Sequence, residues 1–457
     1  MGKPTRTLPW GADAVSLSQL GAAAVLELMN EESLSCADVV STCMARIAMR
    51  EPLVHAWEAR TPAHVAMNLA RIRDAERACA ALRGPLHGLP VGIKDVIDTV
   101  DLPTQYGSLI YSGHRPNADA RCVAILREAG AVVLGKTVTC EFANYSPSRT
   151  RNPRDLSRTP GGSSSGSAVA VADGHVPVAL GTQTAGSVIR PAAFNGLIGF
   201  KPTYGAYDLK GVMPLAPSLD TLGFFARQIE DVQLIHTILD EGTCGQASVE
   251  YGGTAPRVGI VRTPWWNRGE SHMHAAFDRT VELLRGAGAP VVDVNMPLDF
   301  AEVLTAHETI FCGEAARSFA HELQNYPDLI AWVMREKLLI PGSMVSDAQL
   351  AHAQEILVKW RSRLERVMSD IDVLLTPAAK GEAPEDLSST GDPLFNRAWT
   401  ALHVPCICYP VGTGPHGMPL AVQVVGRFGQ DDALILRTMW MAARSSVPVA
   451  PAGRPRN

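Results

Sequence analysis

No run of about eighteen apolar residues occurs in this chain of 457, which removes a membrane-spanning helix from consideration. The opening stretch, Met1 to Val15, has no apolar core leading to a small-residue cleavage site, so no secretory leader is expected. Charge of one sign is also scarce: a formal net charge of −5 gives the molecule nothing to draw it to nucleic acid or to an anionic membrane. Cysteine is sparse, nine residues scattered singly, and even Cys406 and Cys408, the one close pair, sit in an apolar run. An odd count without metal-type spacing argues against a disulfide framework or a zinc site, and the thiols are expected reduced and mostly buried. Internal repeats are lacking, and low complexity is confined to a short proline-rich tail. What remains is 46% hydrophobic and 19% charged, the balance of a compact cytoplasmic enzyme with a sizeable core.

The chain is organised around residues Gly161 to Gly199, GGSSSGSAVAVADGHVPVALGTQTAGSVIRPAAFNGLIG. Gly161, Gly162 and Gly166 strip side chains from around Ser163, Ser164, Ser165 and Ser167, while Thr184, Ala185 and Gly186 do much the same before Ser187. Small residues of this kind allow sharp turns and let a substrate carbonyl approach backbone N–H groups. A flexible linker has similar composition. Here, though, apolar runs at Ala168 to Ala172, Val176 to Leu180 and Leu197 to Phe200 alternate with the polar clusters and read as buried elements.

Around this centre the periodicity predicts two amphipathic helices over 16–50, with Ser35 capping the second and Asp38 three positions on. A helix follows over Pro62 to Leu82, then a short strand at Val91 to Ile93 with Lys94 directly after it. A helix over 119–129 leads into a strand from Ala131 to Leu134, and this βα rhythm suggests a largely parallel or mixed sheet. Further on come a helix over 229–240, a loop or hinge from Gly242 to Ala255, strands at 258–261 and 290–294, and a helix over 272–286. Residues 299–369 are largely helical, strands are expected at 373–375, 407–411 and 420–425, and a last helix starts near Asp431.

Two short patterns mislead. Gly130 to Thr137 spells the phosphate-loop pattern, but its four middle positions are themselves an apolar strand, where a phosphate cradle is needed. Gly162-Ser163-Ser164-Ser165-Gly166 fits a nucleophile elbow, which requires a strand running into the serine and an acid and a histidine downstream. The residues before it are loop-like, and His403 and His416 read as packing or loop residues.

A serine that attacks a carbonyl needs a proton acceptor. Histidine is the usual one, but the serine clusters offer only His175, in a turn. A lysine serves if burial disfavours its charge, and Lys94 at the end of an apolar strand is the candidate, with a snorkelling lysine at a sheet edge as the plain alternative.

At these residues the sequence resembles the amidase signature family. The stretch from Gly161 to Gly205 matches that family's defining segment, and GLPVGIKDVID, GVMPLAPSLDTLG, DVLLTPAA and MPLAVQVVGR match its other landmarks in order. The resemblance implies a single domain over 1–457 built on a large mixed, mostly parallel central sheet with helices on both faces. Residues 85–240 would form the core, and 299–369 a variable helical region that shapes the substrate pocket. It further implies a catalytic triad of Ser187 as nucleophile, Ser163 as bridging serine in a cis peptide, and Lys94 as base. The oxyanion hole would be the backbone N–H groups of Thr184, Ala185, Gly186 and Ser187, with Ser164 and Thr182 as supporting hydroxyls. No metal or organic cofactor is implied.

Departures from the family pattern bear on substrate. Many members read GTDTGGSIR where this chain reads Gly181-Thr-Gln-Thr-Ala-Gly-Ser187-Val-Ile-Arg190, so that the arginine falls three positions after the nucleophile, as in malonamidase-like members. Arg190 is therefore a candidate for binding a substrate carboxylate, with a structural ion pair to Asp220 as the alternative. The expected activity is C–N bond hydrolysis by a chain acting alone or as a homodimer, on small apolar or aryl amides and on carbamates (urethanes) or esters. Phe311, Phe319, Trp332 and Met334 are the candidate pocket residues. The alternative is the amidase component of a glutamine-dependent aminoacyl-tRNA amidotransferase. Ala206-Tyr-Asp-Leu-Lys210 stands where such components carry an arginine-serine segment, which argues against it.

Overall fold

In the computed structural model the described residues are Leu17, 19–242 and 253–447. Most of the loop expected from Gly242 to Ala255, residues 243–252, lies outside them. Eleven strands form one sheet: β1 Trp57–Arg60, β2 Pro90–Lys94, β3 Val132–Thr137, β4 Val178–Gln183, β5 Ile198–Lys201, β6 Thr221–Ala226, β7 Val258–Val261, β8 Val291–Val294, β9 Val373–Pro377, β10 Cys406–Thr413 and β11 Pro419–Val425. Their order across the sheet is β1-β3-β2-β4-β6-β5-β10-β11-β9-β7-β8. The sheet is mixed. Parallel pairs lie on two flanks, β3-β2-β4 and β9-β7-β8, and the strands between and β1 at the edge pair antiparallel.

Every residue of β2, β3, β4, β6, β9 and β11 is buried, so both faces of the sheet are covered there. Continuous apolar runs, rather than alternating ones, are what such strands require. Helix Cys36–Val54 begins as its sequence dictates: Ser35 Oγ accepts from the Asp38 N–H at 3.0 Å, and Asp38 Oδ2 accepts from the Ser35 N–H at 3.0 Å. This capping box satisfies two amides that the first turn leaves open. Ser346 and Gln349 repeat the device at the start of helix Asp347–Val367.

The phosphate-loop look-alike is strand β3. Its Lys136 is buried, 3.2 Å from Asp95 and hydrogen-bonded to Thr104, so no phosphate cradle exists there. Gly135 lies so close to the β1 backbone that a side chain would collide with the Ala59 carbonyl. The eight described cysteines are free, and all but Cys79 are buried. Among the described residues no helix is long and apolar enough to cross a membrane.

Candidate active site

Lys94 is the last residue of β2, one position further in than the pattern predicts, and is fully buried. Strand β4 runs parallel beside it, and its Thr182 reaches the same depth. Lys94 Nζ lies 2.7 Å from Thr182 Oγ1 and 2.9 Å from Ser163 Oγ, with no carboxylate at ion-pair distance among the described residues. Burial pushes the amine down from 10.5 to about 7, only partly offset by Cys140 and Asp220. Desolvation penalises the ammonium, so a large share of the lysine is neutral near pH 7 and able to take a proton.

Ser163 is delivered by the glycines before it. Gly161 has a φ of 81°, open to glycine at little cost, and a Cβ there would stand 2.9 Å from Pro191 Cα. The serine loop can therefore pack directly on helix Ile189–Asn195, which follows Ser187. The Gly162–Ser163 peptide bond is cis. Ser164 Oγ donates to the Thr182 carbonyl and accepts from its N–H, both at 3.2 Å, so it holds the backbone that carries Thr182.

Ser187 sits beyond the end of β4, almost buried, facing a small cavity shared with Ala143, Asn144, Tyr145, Thr184, Arg190 and Phe311. The N–H groups of Thr184, Ala185, Gly186 and Ser187 donate to no acceptor among the described residues. Buried backbone donors are nearly always paired, and here four in succession, up to and including that of Ser187, are open to an acceptor. Thr184 Oγ1 donates to Asp220 at 2.5 Å. Gln183 Oε1 accepts from the N–H groups of Val188 and Ile189, at 2.9 and 3.0 Å.

The expected ion pair between Arg190 and Asp220 is not formed. Asp220 is taken up by Thr184 and by the N–H groups of Leu215 and Ala216, and its burial raises the carboxyl to about 7. Arg190 instead donates to the carbonyl of Gly162 at 2.7 Å and to the carbonyl of Thr390 at 2.8 Å. Burial lowers its guanidinium to about 10, so it stays charged at neutral pH. Its Nη1 has no partner among the described residues.

Asn144, a residue the sequence pattern does not single out, has neither side-chain polar atom bonded although it is buried in the cavity wall. Of the four expected pocket residues, Phe311 lines the cavity, 5.5 Å from the Tyr145 ring in an edge contact. Phe319 packs on Phe142, Met334 lies in the core, and Trp332 is exposed against Lys337. The free volume beside Ser187 is only ≈ 10 Å³, the least that a single water needs.

The histidines behave as structural residues. Trp57 Nε1 donates to His175 Nδ1 at 3.0 Å, His403 lies 2.8 Å from the Ser218 carbonyl, and His416 lies 2.7 Å from Glu382. His307, which no sequence motif marks, lies 3.0 Å from the Thr184 carbonyl. Among the described residues no group of three or more His, Cys, Asp or Glu is placed to hold a metal ion.

A family model described as Amidase matches residues 38–435. The A component of the glutamyl-tRNA(Gln) amidotransferase of Chloroflexus aggregans is 32% identical over 451 residues, covering 88% of this chain and 92% of that protein. The crystal structure of an amidase superposes with a TM-score of 0.85 at 29% identity, over 93% of this chain and 100% of the other. The peptide amidase from Stenotrophomonas maltophilia superposes with a TM-score of 0.82 at 28% identity, over 95% and 99%.

Proposed function

The chain belongs to the amidase signature family, hydrolases of C–N bonds, and from that premise we propose that it is a stand-alone amidase acting through a Ser187 acyl-enzyme on small apolar or aryl amides. The observation that carries this reading is Lys94, buried without a carboxylate partner among the described residues, lowered to about 7 and within 2.9 Å of Ser163. A lysine so placed supports a base, because its neutral amine has the Ser163 hydroxyl within hydrogen-bond distance.

In the proposed reaction Ser187 Oγ bonds to the substrate carbonyl carbon and passes its proton to Ser163, whose own proton moves to Lys94. The carbonyl oxygen becomes an oxyanion, met by the open N–H groups of 184–187. Lys94 then returns the proton through Ser163 to the substrate nitrogen, the C–N bond breaks and the amine leaves. Water adds to the acyl-enzyme by the same relay in reverse and frees the acid. Thr182 holds the lysine amine in place and Ser164 holds Thr182. In this proposal the whole chain is one catalytic domain, with 299–369 contributing Phe311 to the acyl pocket. Carbamates and esters fit the same relay, since the leaving group departs before water enters.

A second reading has a specific support. Arg190 Nη1 and the Asn144 amide, without partners among the described residues, offer recognition for a carboxylate or a primary amide, and the A components of glutamyl-tRNA(Gln) amidotransferases, at 32% identity, are slightly more similar to this chain than the two amidases of known structure, at 29% and 28%. The test is hydrolysis by the purified chain of glutamine, malonamate, an aliphatic amide, an anilide and an aryl carbamate, with Ser187→Ala alongside. Turnover of anilide or carbamate that vanishes in the variant is the expected result. Malonamate turnover would make Arg190 the carboxylate reader. Glutamine turnover that appears only with cell extract would give the chain to the amidotransferase reading.

A further inference from the structure

Two carbonyls in the segment before Ser187 are held from outside it. His307, on helix Glu302–Ser318, lies with Nε2 3.0 Å from the Thr184 carbonyl, to which it donates. Thr400, on helix Leu394–Ala401, donates its hydroxyl to the Ala185 carbonyl at 2.9 Å, and Gln183 Nε2 donates to that hydroxyl at 2.9 Å. Burial lowers the His307 imidazole to about 3, so it is neutral through the working pH range, with Nε2 carrying its proton. Its ring stacks on Phe311, centroids 5.8 Å apart, which limits rotation.

In a trans peptide the C=O of one residue and the N–H of the next point in opposite directions. Fixing the Thr184 carbonyl therefore aims the Ala185 N–H, and fixing the Ala185 carbonyl aims the Gly186 N–H. Both N–H groups lack acceptors among the described residues; Ala185 lines the Ser187 cavity, and Gly186 stands between it and Ser187 in the chain. Small residues alone would leave these peptide planes free to turn. We propose that His307 and Thr400 are positioning residues that orient the Ala185 and Gly186 N–H groups toward the oxyanion. The inference rests on the Ser187 reading above and deepens it. A histidine from the helical region beyond the serine segment, and a threonine from near the C-terminus, complete a site whose reacting groups come from elsewhere.

The test pairs variants that differ in the donor and little in size: His307→Gln against His307→Met, and Thr400→Ser against Thr400→Val. The readout is the rate constant for labelling of Ser187 by an alkyl fluorophosphonate, followed by intact mass. This reaction builds negative charge on a phosphoryl oxygen without requiring the natural substrate. A rate constant, unlike a final extent, is not mimicked by a misfolded fraction. The expected result is a loss of roughly ten- to a hundredfold for Met and for Val, with Gln and Ser within about threefold of wild type. On an amide that the wild type turns over, the same loss falls in kcat, with KM within about threefold. Equal rates for Gln and Met and for Ser and Val, or a loss confined to KM, would overturn the proposal. A wild-type chain that takes no label on Ser187 fails at the earlier step, the assignment of Ser187 itself.

Discussion

The two walls of this site differ in how far their polar groups are already paired. On the strand wall Lys94, Ser163, Ser164 and Thr182 bond to one another or to adjacent backbone at 2.7 to 3.2 Å. Around the cavity the N–H groups of 184–187, the Asn144 amide and Arg190 Nη1 have no partner among the described residues. Leaving buried polar groups unmade costs roughly 1–3 kcal/mol each. In the proposed reaction the paired wall carries protons between Ser187, Lys94 and the leaving amine. In the same proposal the unpaired wall meets the oxyanion and the rest of the substrate.

Substitutions on the two walls therefore separate. The largest expected effect is Ser187→Ala, which stands at their junction and lowers kcat on the order of 10⁵-fold or more, measured by amine release. Next is Lys94→Met, which lowers kcat by roughly 10³–10⁴-fold with KM little changed. If this variant raised KM instead, the strand wall would be a binding surface and the division would collapse. Wild-type kcat/KM rises with pH and levels off above about 7, because the neutral amine is the active form. Below that, each unit costs about tenfold in rate, and a flat profile from about pH 5 to 8 would contradict a lysine base.

Lys94→Met also sharpens the comparison through stability. The lysine is about 7 when folded against 10.5 as its ordinary value. Above pH 10.5 both states are neutral and no penalty exists. As pH falls toward 7 the unfolded chain takes up a proton that the folded one refuses, so the penalty grows, and below 7 it is constant. Its size at pH 7 is on the order of 5 kcal/mol. Lys94→Met is expected to melt higher than wild type at about pH 7, with the gap narrowing toward about pH 10. A gap that widened with pH would reverse the assignment.

The smallest effects draw the finest line. Thr182→Val removes a partner from the paired wall and is expected to destabilise by about 1–3 kcal/mol in denaturant titration. Asn144→Ala removes an unbonded amide from the other wall, so its stability should hold or rise while KM for a polar substrate rises about tenfold. If both variants lost stability equally, the walls would not differ in the way described.

The paired wall was largely legible in the sequence, and the unpaired one only in part. Lys94 after an apolar run, and serines set among glycines, are local signals. The element boundaries around them also fell within a few residues of expectation. Strand β1 escaped because Trp57–Arg60 is four residues long and only its first residue is buried. Asn144, His307 and Thr400 escaped for another reason. His307 occupies the apolar stripe of Val303, Ile310 and Phe311, where a histidine reads as core, and its target carbonyl is 123 residues away. Periodicity reports which face is buried and carries nothing about which distant carbonyl that face will meet. Arg190 shows the same limit: its ion-pair partner was sought in Asp220, which three closer donors had already filled.

The most direct measurement is to locate the acyl group. The protein is acid-quenched during turnover of an anilide, digested and mapped by mass spectrometry. The account predicts the substrate's acyl mass on the peptide carrying Ser187, and neither adduct nor turnover in Ser187→Ala. An adduct on Ser163 or Ser165, or undiminished turnover in the variant, would contradict it.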